Sequence, residues 1–317
     1  VLSLYDGMGC AMLALIEAGI PVSEYIAYEI DKYAVKTTEH NFPFVKHNGD
    51  VFQADYTNIG SIDVLMGGSP CTFWSVCQKQ NRETEASGMG WELFSQYVRA
   101  LREVKPKWFL YENNFSISDE IRDCITAELG VEPIHINSAD FSAQTRHRYY
   151  WTNIPVAEWV DKGILFADIM DTDGEFLSRS IEQYTDTIKW SKDNMSVKWD
   201  TSGKGYYSQA NRAKLPEQKW STVCASRAES KGNVWLGDNM IRLVTMSELE
   251  KLQTLPVGYT GCLKNKEKRG KCIGNGWTVD VIAHILSGLK KYIGYPLAYE
   301  SMMKFKEEMM KELGLDK

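Results

Sequence analysis

The sequence predicts a doubly wound α/β fold, a mostly parallel sheet with a second, smaller unit, and three observations carry that prediction. Short apolar runs such as Val1-Leu2-Ser3-Leu4-Tyr5 and Ile62-Asp63-Val64-Leu65-Met66 alternate with amphipathic helical stretches, the rhythm of parallel βαβ units. Several of these runs end in glycine or in a carboxylate, at the strand ends where such folds gather their reactive groups. At 317 residues the chain is also as long as one core usually grows, and its composition changes after about Pro155.

Composition narrows the class. Hydrophobic residues make up 44% and charged residues 25%, as in a soluble globular protein, and no apolar run approaches the ~18 residues of a membrane span. Seven cysteines, an odd number without a C-x-x-C pair, argue against a disulfide framework and a zinc site and for reduced intracellular thiols. A net charge of −6 gives no global footprint for nucleic acid, although a local cationic surface can still bind it. No signal peptide opens the chain, and Val1 in place of Met points to a trimmed or processed start.

After the first strand, Asp6-Gly7-Met8-Gly9-Cys10 forms a glycine turn into a helix through Met12, Leu13, Leu15 and Ile16 that Gly19 ends. Such a turn lets backbone approach a nucleotide-like cofactor. The next strand, Tyr25-Ile26-Ala27-Tyr28, ends in Glu29-Ile30-Asp31, about 20 residues past the turn, where related folds bond a ribose hydroxyl. The ribose role goes to Glu29 and a helix N-cap to Asp31. Gly49-Asp50-Val51 adds a third acid, a candidate for an adenine amino group.

The strand from Ile62 to Met66 runs into Gly67-Gly68-Ser69-Pro70-Cys71, which sets a thiol at a strand's carboxyl end as a nucleophile is set. A buried, merely apolar cysteine is the competing reading. Gln78 to Gly90 is polar, contains glycine and reads as a mobile loop over the site. A helix with apolar Leu93, Phe94, Tyr97, Val98, Leu101 and Val104 follows, and Pro106 ends it. Lys107 to Tyr111 is a strand that ends in Glu112, so adjacent parallel strands bring a thiol and a carboxyl to one rim. A helix (Asp119 to Leu129), a strand (Pro133 to Asn137) and an alternating antiparallel strand with Gln144, Arg146 and Arg148 come next. Arginines there suit a phosphate or a base edge, or simply solvent.

From about Pro155 to Met240 tryptophans lie among Lys204, Arg212, Lys214, Lys219, Arg227 and Lys231 with little regular period. That mixture fits either a nucleic-acid surface or a small irregular core. Thr245 with Glu248 caps a helix that ends before Pro256. A basic run follows (Lys264, Lys266, Lys268, Arg269, Lys271), either a solvated loop or a phosphate contact. Gly274-Asn275-Gly276-Trp277-Thr278-Val279 leads into an apolar helix and a polar tail helix.

Taken together, the ordered motifs resemble the cytosine-5 DNA methyltransferases over nearly the whole chain. Those motifs are Asp6-Gly7-Met8-Gly9, Glu29, Asp50, Gly68-Ser69-Pro70-Cys71, Glu112-Asn113, Gln144-Thr145-Arg146-His147-Arg148 and Gly274-Asn275-Gly276-Trp277. The wording is most similar to the animal de novo branch and its phage and bacterial relatives. The resemblance implies a Rossmann-like methyltransferase sheet with a small irregular target-recognition domain. It assigns residues 1–154 to catalysis and cofactor, 155–240 to target recognition, and 241–317 to a return to the catalytic domain. S-adenosylmethionine, leaving as S-adenosylhomocysteine, would be held by Tyr5, Asp6, Gly7, Met8, Gly9, Glu29, Ile30, Asp50, Val51, Pro70, Asn275 and Trp277. The implied substrate is a cytosine flipped out of double-stranded DNA, attacked at C6 by Cys71 and held at N3 by Glu112. Arg146 and Arg148 would hold the pyrimidine edge or a neighbouring phosphate.

Three departures from the family pattern stand out: Asn114 where Val is usual after Glu-Asn, Phe73-Trp74-Ser75 in place of Gln-x-Phe-Ser, and Cys10 where many members carry a second glycine. No metal and no membrane partner are expected. The chain is a monomer or a homodimer, in a bacterial or phage-infected cytoplasm or a eukaryotic nucleus, with restriction–modification among its roles. The alternatives are a transfer-RNA cytosine-5 methyltransferase and a catalytically silent accessory protein that keeps the fold.

Overall fold

In the computed structural model, residues 1–76, 82–172, 176, 178–191, 196–205, 211–225, 232–293 and 311 are described. Gln78 to Asn81, Arg227, Lys231 and nearly all of the expected tail helix lie outside the described residues. The chain divides into two compact units: residues 1–137, 147–159 and 279–317 form the first, and residues 138–146 and 160–278 the second.

The first unit runs β1 (Leu2–Leu4), α1 (Cys10–Glu17), β2 (Ile26–Tyr28), α2 (Lys32–Asn41), β3 (Lys46–His47), β4 (Val64–Gly67), α3 (Gly88–Val104), β5 (Trp108–Asn114), α4 (Asp119–Leu129), β6 (Ile134–Asn137) and β7 (His147–Thr152). These seven strands form one sheet in the order β3-β2-β1-β4-β5-β7-β6. Pairing is parallel from β3 through β5, and β7 enters antiparallel between β5 and β6. The order reverses between β1 and β4, and at such a switch point the loops at the strand ends splay apart and leave a crevice. The glycine turn follows β1 and the Cys71 loop follows β4, so both leave the sheet at that crevice. Central strands with both faces covered must be apolar throughout: every residue of β1, β2 and β4 is buried.

The second unit contains α5 (Phe166–Ile169), β8 (Ser178–Ser180), β9 (Lys189–Trp190), β10 (Ser196–Lys198), β11 (Arg212–Lys214), β12 (Asn233–Gly237), β13 (Met240–Leu243), α6 (Met246–Leu252) and α7 (Lys266–Asn275). Its strands form a six-stranded sheet, β8-β13-β12-β11-β10-β9, antiparallel except between β11 and β12. The sequence predicts irregular structure between 155 and 240, and the strands there form a sheet instead. Strands of two to five residues are too short to show an alternating pattern. Val197, Trp199, Ala213 and Ile241 pack as its core, so Trp199 is a core residue. After residue 278 the chain returns to the first unit as α8 (Val279–Ser287), which packs against α1.

Caps were legible in advance. Asp31 accepts the Tyr33 N–H at 2.9 Å as N-cap of α2. Thr245 and Glu248 form the reciprocal capping box of α6. Among the described residues no helix is long and apolar enough to cross a membrane.

Gly67 ends β4 where a side chain has no room: a Cβ there would lie 2.9 Å from the Leu4 carbonyl oxygen and 3.0 Å from the Tyr97 ring. Strand backbone cannot yield. Gly67→Ala should therefore cost ~1–3 kcal/mol of unfolding free energy in urea titrations, and an unchanged midpoint would show that the β1–β4 spacing relaxes freely.

Candidate active site

The crevice is shaped first by backbone conformation. Tyr5, Gly7 and Gly9 all have positive φ (56°, 63° and 81°), which coils the turn after β1 tightly on itself. At Gly9 a Cβ would approach the Thr38 methyl at 3.1 Å and the Phe42 ring at 3.2 Å, so the turn nestles against α2. Glu29 ties the turn to the neighbouring strand. Its Oε2 accepts the Gly7 N–H at 2.8 Å, while Oε1 accepts those of Ile30 at 2.8 Å and Asp31 at 2.7 Å. The Tyr5 hydroxyl donates to the Leu93 carbonyl at 2.6 Å, and burial pushes its pKa well above that of a free phenol. Asp50 caps a short turn by accepting the Phe52 N–H at 3.0 Å.

Asp6 is the unusual group in this turn. It is 7% exposed, Tyr25 Oη donates to its Oδ1 at 2.5 Å, and its Oδ2 is buried without a hydrogen-bond partner among the described residues. Burial pushes its pKa from 3.8 up to about 6, against the opposing pull of the Tyr25 and Ser3 hydroxyls. Met8 and Val51 are buried beside these acids, and Ile30, 75% exposed, stands next to Glu29.

Cys71 is half-buried and opens a single 3₁₀ turn, its carbonyl accepting the N–H groups of Trp74 at 3.1 Å and Ser75 at 2.9 Å. Its loop is fastened to the next strand from below. Ser69 Oγ and Tyr111 Oη are 2.7 Å apart, and Asn113 Nδ2 donates to Tyr111 Oη at 3.1 Å and to the Ser69 carbonyl at 3.3 Å. All three residues are buried. Tyr111 is itself fixed by rings on three sides: Phe94, Tyr97 and Trp151 have centroids 5.1, 4.9 and 5.8 Å away.

Because side chains alternate along a strand, Glu112 faces away from Tyr111 and Asn113. It meets Arg148 instead. The β5–β7 register pairs Asn114 with Arg148, which makes Arg148 the diagonal neighbour of Glu112, and their Nε and Oε1 atoms are 2.9 Å apart with side chains 13% and 12% exposed. Arg148 Nη1 also donates to the His147 carbonyl at 2.8 Å, which holds the arginine end of the pair. The first unit thus gathers the glycine turn, Glu29, Asp50, Cys71, Glu112 and Arg148.

Arg146, Asn275 and Trp277 belong to the second unit. Arg146 is 4% exposed, and its guanidinium donates to the carbonyls of Val223 at 3.0 Å, Gly274 at 3.2 Å and Gly276 at 3.0 Å. Gln253 donates to the carbonyls of Ile273 and Gly276, and Gln144 donates to Gln253. Arg146 therefore knits two loops together through backbone, a role for which the sequence holds no local signal because its partners are 77 to 130 residues away. Ser69, Tyr25 and Tyr111 were likewise not singled out by sequence. Only the shared parity of Tyr111 and Asn113 on one strand hinted at a common face.

The sequence pattern of the family described as C-5 cytosine-specific DNA methylase matches residues 1–291. The chain belongs to that family. Among curated relatives, the orphan methyltransferase M.SPRI of Bacillus phage SPR is 38% identical over 115 residues, 36% of this chain and 26% of that protein. That match spans only about a quarter of the phage protein. The type II methyltransferase M.FnuDI of Fusobacterium nucleatum aligns more fully, 23% identical across 92% of this chain and 94% of its own. Solved structures with the same fold include the Entamoeba histolytica methyltransferase EhMeth, with TM-score 0.67, 15% identity and coverage of 93% of this chain and 98% of that one. The S. pombe Dnmt2 methyltransferase has TM-score 0.65, 16% identity and coverage of 93% and 99%.

Asp6 supplies a pH signature that is independent of any ligand. Its pKa is raised by folding, so below about 6 the folded state keeps a proton that the unfolded chain releases, and stability rises as pH falls through that value. Relative to Asp6→Asn, the wild-type protein should gain on the order of 1 kcal/mol of unfolding free energy between pH 7 and pH 5. Denaturant titrations at the two pH values that show parallel behaviour would mean that Asp6 is solvated in the folded state.

Proposed function

We propose that this chain is an S-adenosylmethionine-dependent DNA cytosine-5 methyltransferase acting on double-stranded DNA through a Cys71 adduct. The observation that carries the reading is the buried bonding of Ser69 to Tyr111 and Asn113, which keeps a thiol and a carboxyl on two adjacent strand ends in fixed relation. Such fixity is what a two-residue reaction on one ring requires.

The residues around the glycine turn fit the cofactor. A buried carboxylate with an unpartnered oxygen, Asp6, suits a cationic ligand, and S-adenosylmethionine carries both an ammonium and a sulfonium. Glu29 Oε1 accepts two backbone N–H groups and Oε2 only one, which leaves Oε2 a lone pair for a ribose hydroxyl. Exposed Ile30 offers an apolar face to a base, and Asp50 an acceptor for an adenine amino group. When bound, S-adenosylmethionine supplies an electrophilic methyl group and leaves as S-adenosylhomocysteine.

Cytosine in a stacked duplex is inaccessible, so the target base has to be flipped into the site. The Cys71 thiolate adds to C6, forming the S–C6 bond and pushing the ring's electron pair toward C5. Glu112 hydrogen-bonds or protonates N3 and so stabilises the charge that addition creates. Once C5 has been methylated, a base or water removes the C5 proton, and the returning electron pair expels Cys71 as thiolate. Arg148 orients the Glu112 carboxylate, and Arg146 shapes its own unit through backbone. Marking or protecting host or phage DNA, as in restriction–modification, is the cellular role such chemistry serves.

Duplex DNA carrying 5-fluorocytosine at the target tests the adduct, because fluorine at C5 cannot leave as a proton. The wild type should be trapped covalently, and Cys71→Ala should lose trapping and turnover while still binding cofactor. Glu112→Gln should slow methylation by ~10²–10⁴-fold. Methylation at the wild-type rate by Cys71→Ala would sink the mechanism, and trapping on fluorinated transfer RNA in place of DNA would move the substrate to RNA. For the cofactor, Glu29→Ala should weaken S-adenosylmethionine binding measured by calorimetry, and unchanged affinity would remove that assignment.

A further inference from the structure

We infer that Arg82 is a positioning residue that locks the segment after Cys71 onto the strand end carrying Glu112, so that nucleophile and acid meet the base in one arrangement. The inference rests on the proposed roles of Cys71 and Glu112. The described part of the expected mobile loop, Arg82 to Gly90, is tied down on both sides. Arg82 Nε donates to the Trp74 carbonyl at 3.1 Å and Nη2 to the Ser116 carbonyl at 2.6 Å. One planar guanidinium thereby bridges a residue three positions after Cys71 and a residue four positions after Glu112.

One anchor is bonded to Cys71 itself and the other to the residues that follow Glu112. Trp74 N–H donates to the Cys71 carbonyl at 3.1 Å. The N–H and hydroxyl of Ser116 both donate to Asn114 Oδ1, at 2.9 and 3.0 Å, and Asn114 N–H donates to Asn113 Oδ1 at 2.8 Å. Glu83 holds the other end of the bridge. Its N–H donates to the Phe73 carbonyl at 2.9 Å, its Oε2 accepts the Trp74 indole N–H at 3.2 Å, and its carboxylate accepts the Met89 and Gly90 N–H groups at the start of α3. Gly90 is required for this approach, since a Cβ there would lie 2.4 Å from Trp74 Nε1.

Of the positions where the sequence departs from the pattern it resembles, Trp74 thus receives the clamp directly and Asn114 receives it through Ser116. A cation whose fork already donates to two carbonyls is built to set distances between segments, and a lysine's single ammonium cannot reproduce the planar bridge. A shift of about 1 Å between reacting groups can cost ~10²-fold in rate.

The test measures the single-turnover rate of adduct formation on 5-fluorocytosine duplex DNA, with cofactor and DNA saturating, alongside DNA affinity as a function of salt. Arg82→Ala should lower the saturated rate by about 10- to 100-fold with little change in DNA affinity, Arg82→Lys should recover only part of it, and the effects of Arg82→Ala and Asn114→Val should be non-additive. A wild-type rate in Arg82→Lys or Arg82→Ala overturns the inference, and the lysine variant, which keeps charge and stem, decides the matter if the alanine variant fails to fold. Weaker DNA binding with a shallower salt dependence and an unchanged saturated rate overturns it too, by making Arg82 a phosphate contact. If the wild type itself forms no adduct, the Cys71 assignment falls first and the clamp's catalytic role with it.

Discussion

The bonding of Ser69, Tyr111 and Asn113 underlies everything at the rim of the first unit. Two parallel strands share backbone bonds only as far as Gly67 and Tyr111. Beyond that register the chain leaves β4 as loop, and without side-chain bonds its conformational entropy would let Cys71 wander relative to Glu112. A phenol wedged among three aromatic rings is about as rigid an anchor as a protein offers, and its hydroxyl reaches the serine two residues before the cysteine. Desolvated hydrogen bonds of this kind are costly to leave unmade, so the arrangement is all-or-none. Removing the Tyr111 hydroxyl would strand Ser69 and Asn113 together.

Carboxylates divide into two kinds in this acidic protein. Glu248 and Glu250 are saturated: Glu248 takes both Arg242 nitrogens and the Thr245 N–H, and Glu250 takes Arg269, Thr260 and the Gly258 N–H. Those groups serve architecture, because a buried charge persists only when its lone pairs are filled. Asp6 has one oxygen bonded by Tyr25 and the other without a hydrogen-bond partner within bonding distance among the described residues, which stability alone does not favour. A half-satisfied acid beside a coiled glycine turn marks the place where folding free energy has been given up to leave an acceptor open.

Sequence made the first unit's framework readable because its signals are local. A run of apolar residues, a glycine turn and an acid at a strand end each lie within a few residues of one another, and Asp31 and Thr245 announce their helix starts by chemistry that acts over three positions. Cys71 and Glu112 stood out for the same reason. What sequence left dark was set by distant partners: Arg146 among carbonyls far along the chain, Arg82 between two turns, and the second unit's sheet, whose strands are too brief for period to show. Arginine looks alike on paper whether it meets solvent, phosphate or backbone. The arginine-bearing strand accordingly splits in the structure, with Arg148 beside Glu112 and Arg146 within the second unit.

The packing of α8 on α1 bears on how the molecule is made. α1 is buried along nearly its whole length, from Cys10 to Ile16, yet one of the surfaces that covers it is supplied by residues 279–287, after the entire second unit has been synthesised. Through most of translation the nascent chain must therefore carry an incompletely covered apolar helix next to its glycine turn. Ribosome-bound intermediates of this protein are natural clients for chaperones, and truncations within the second unit will be sticky rather than merely inactive. The same split chain order means that two fragments cut inside the second unit each hold part of the first, so each has reason to seek the other.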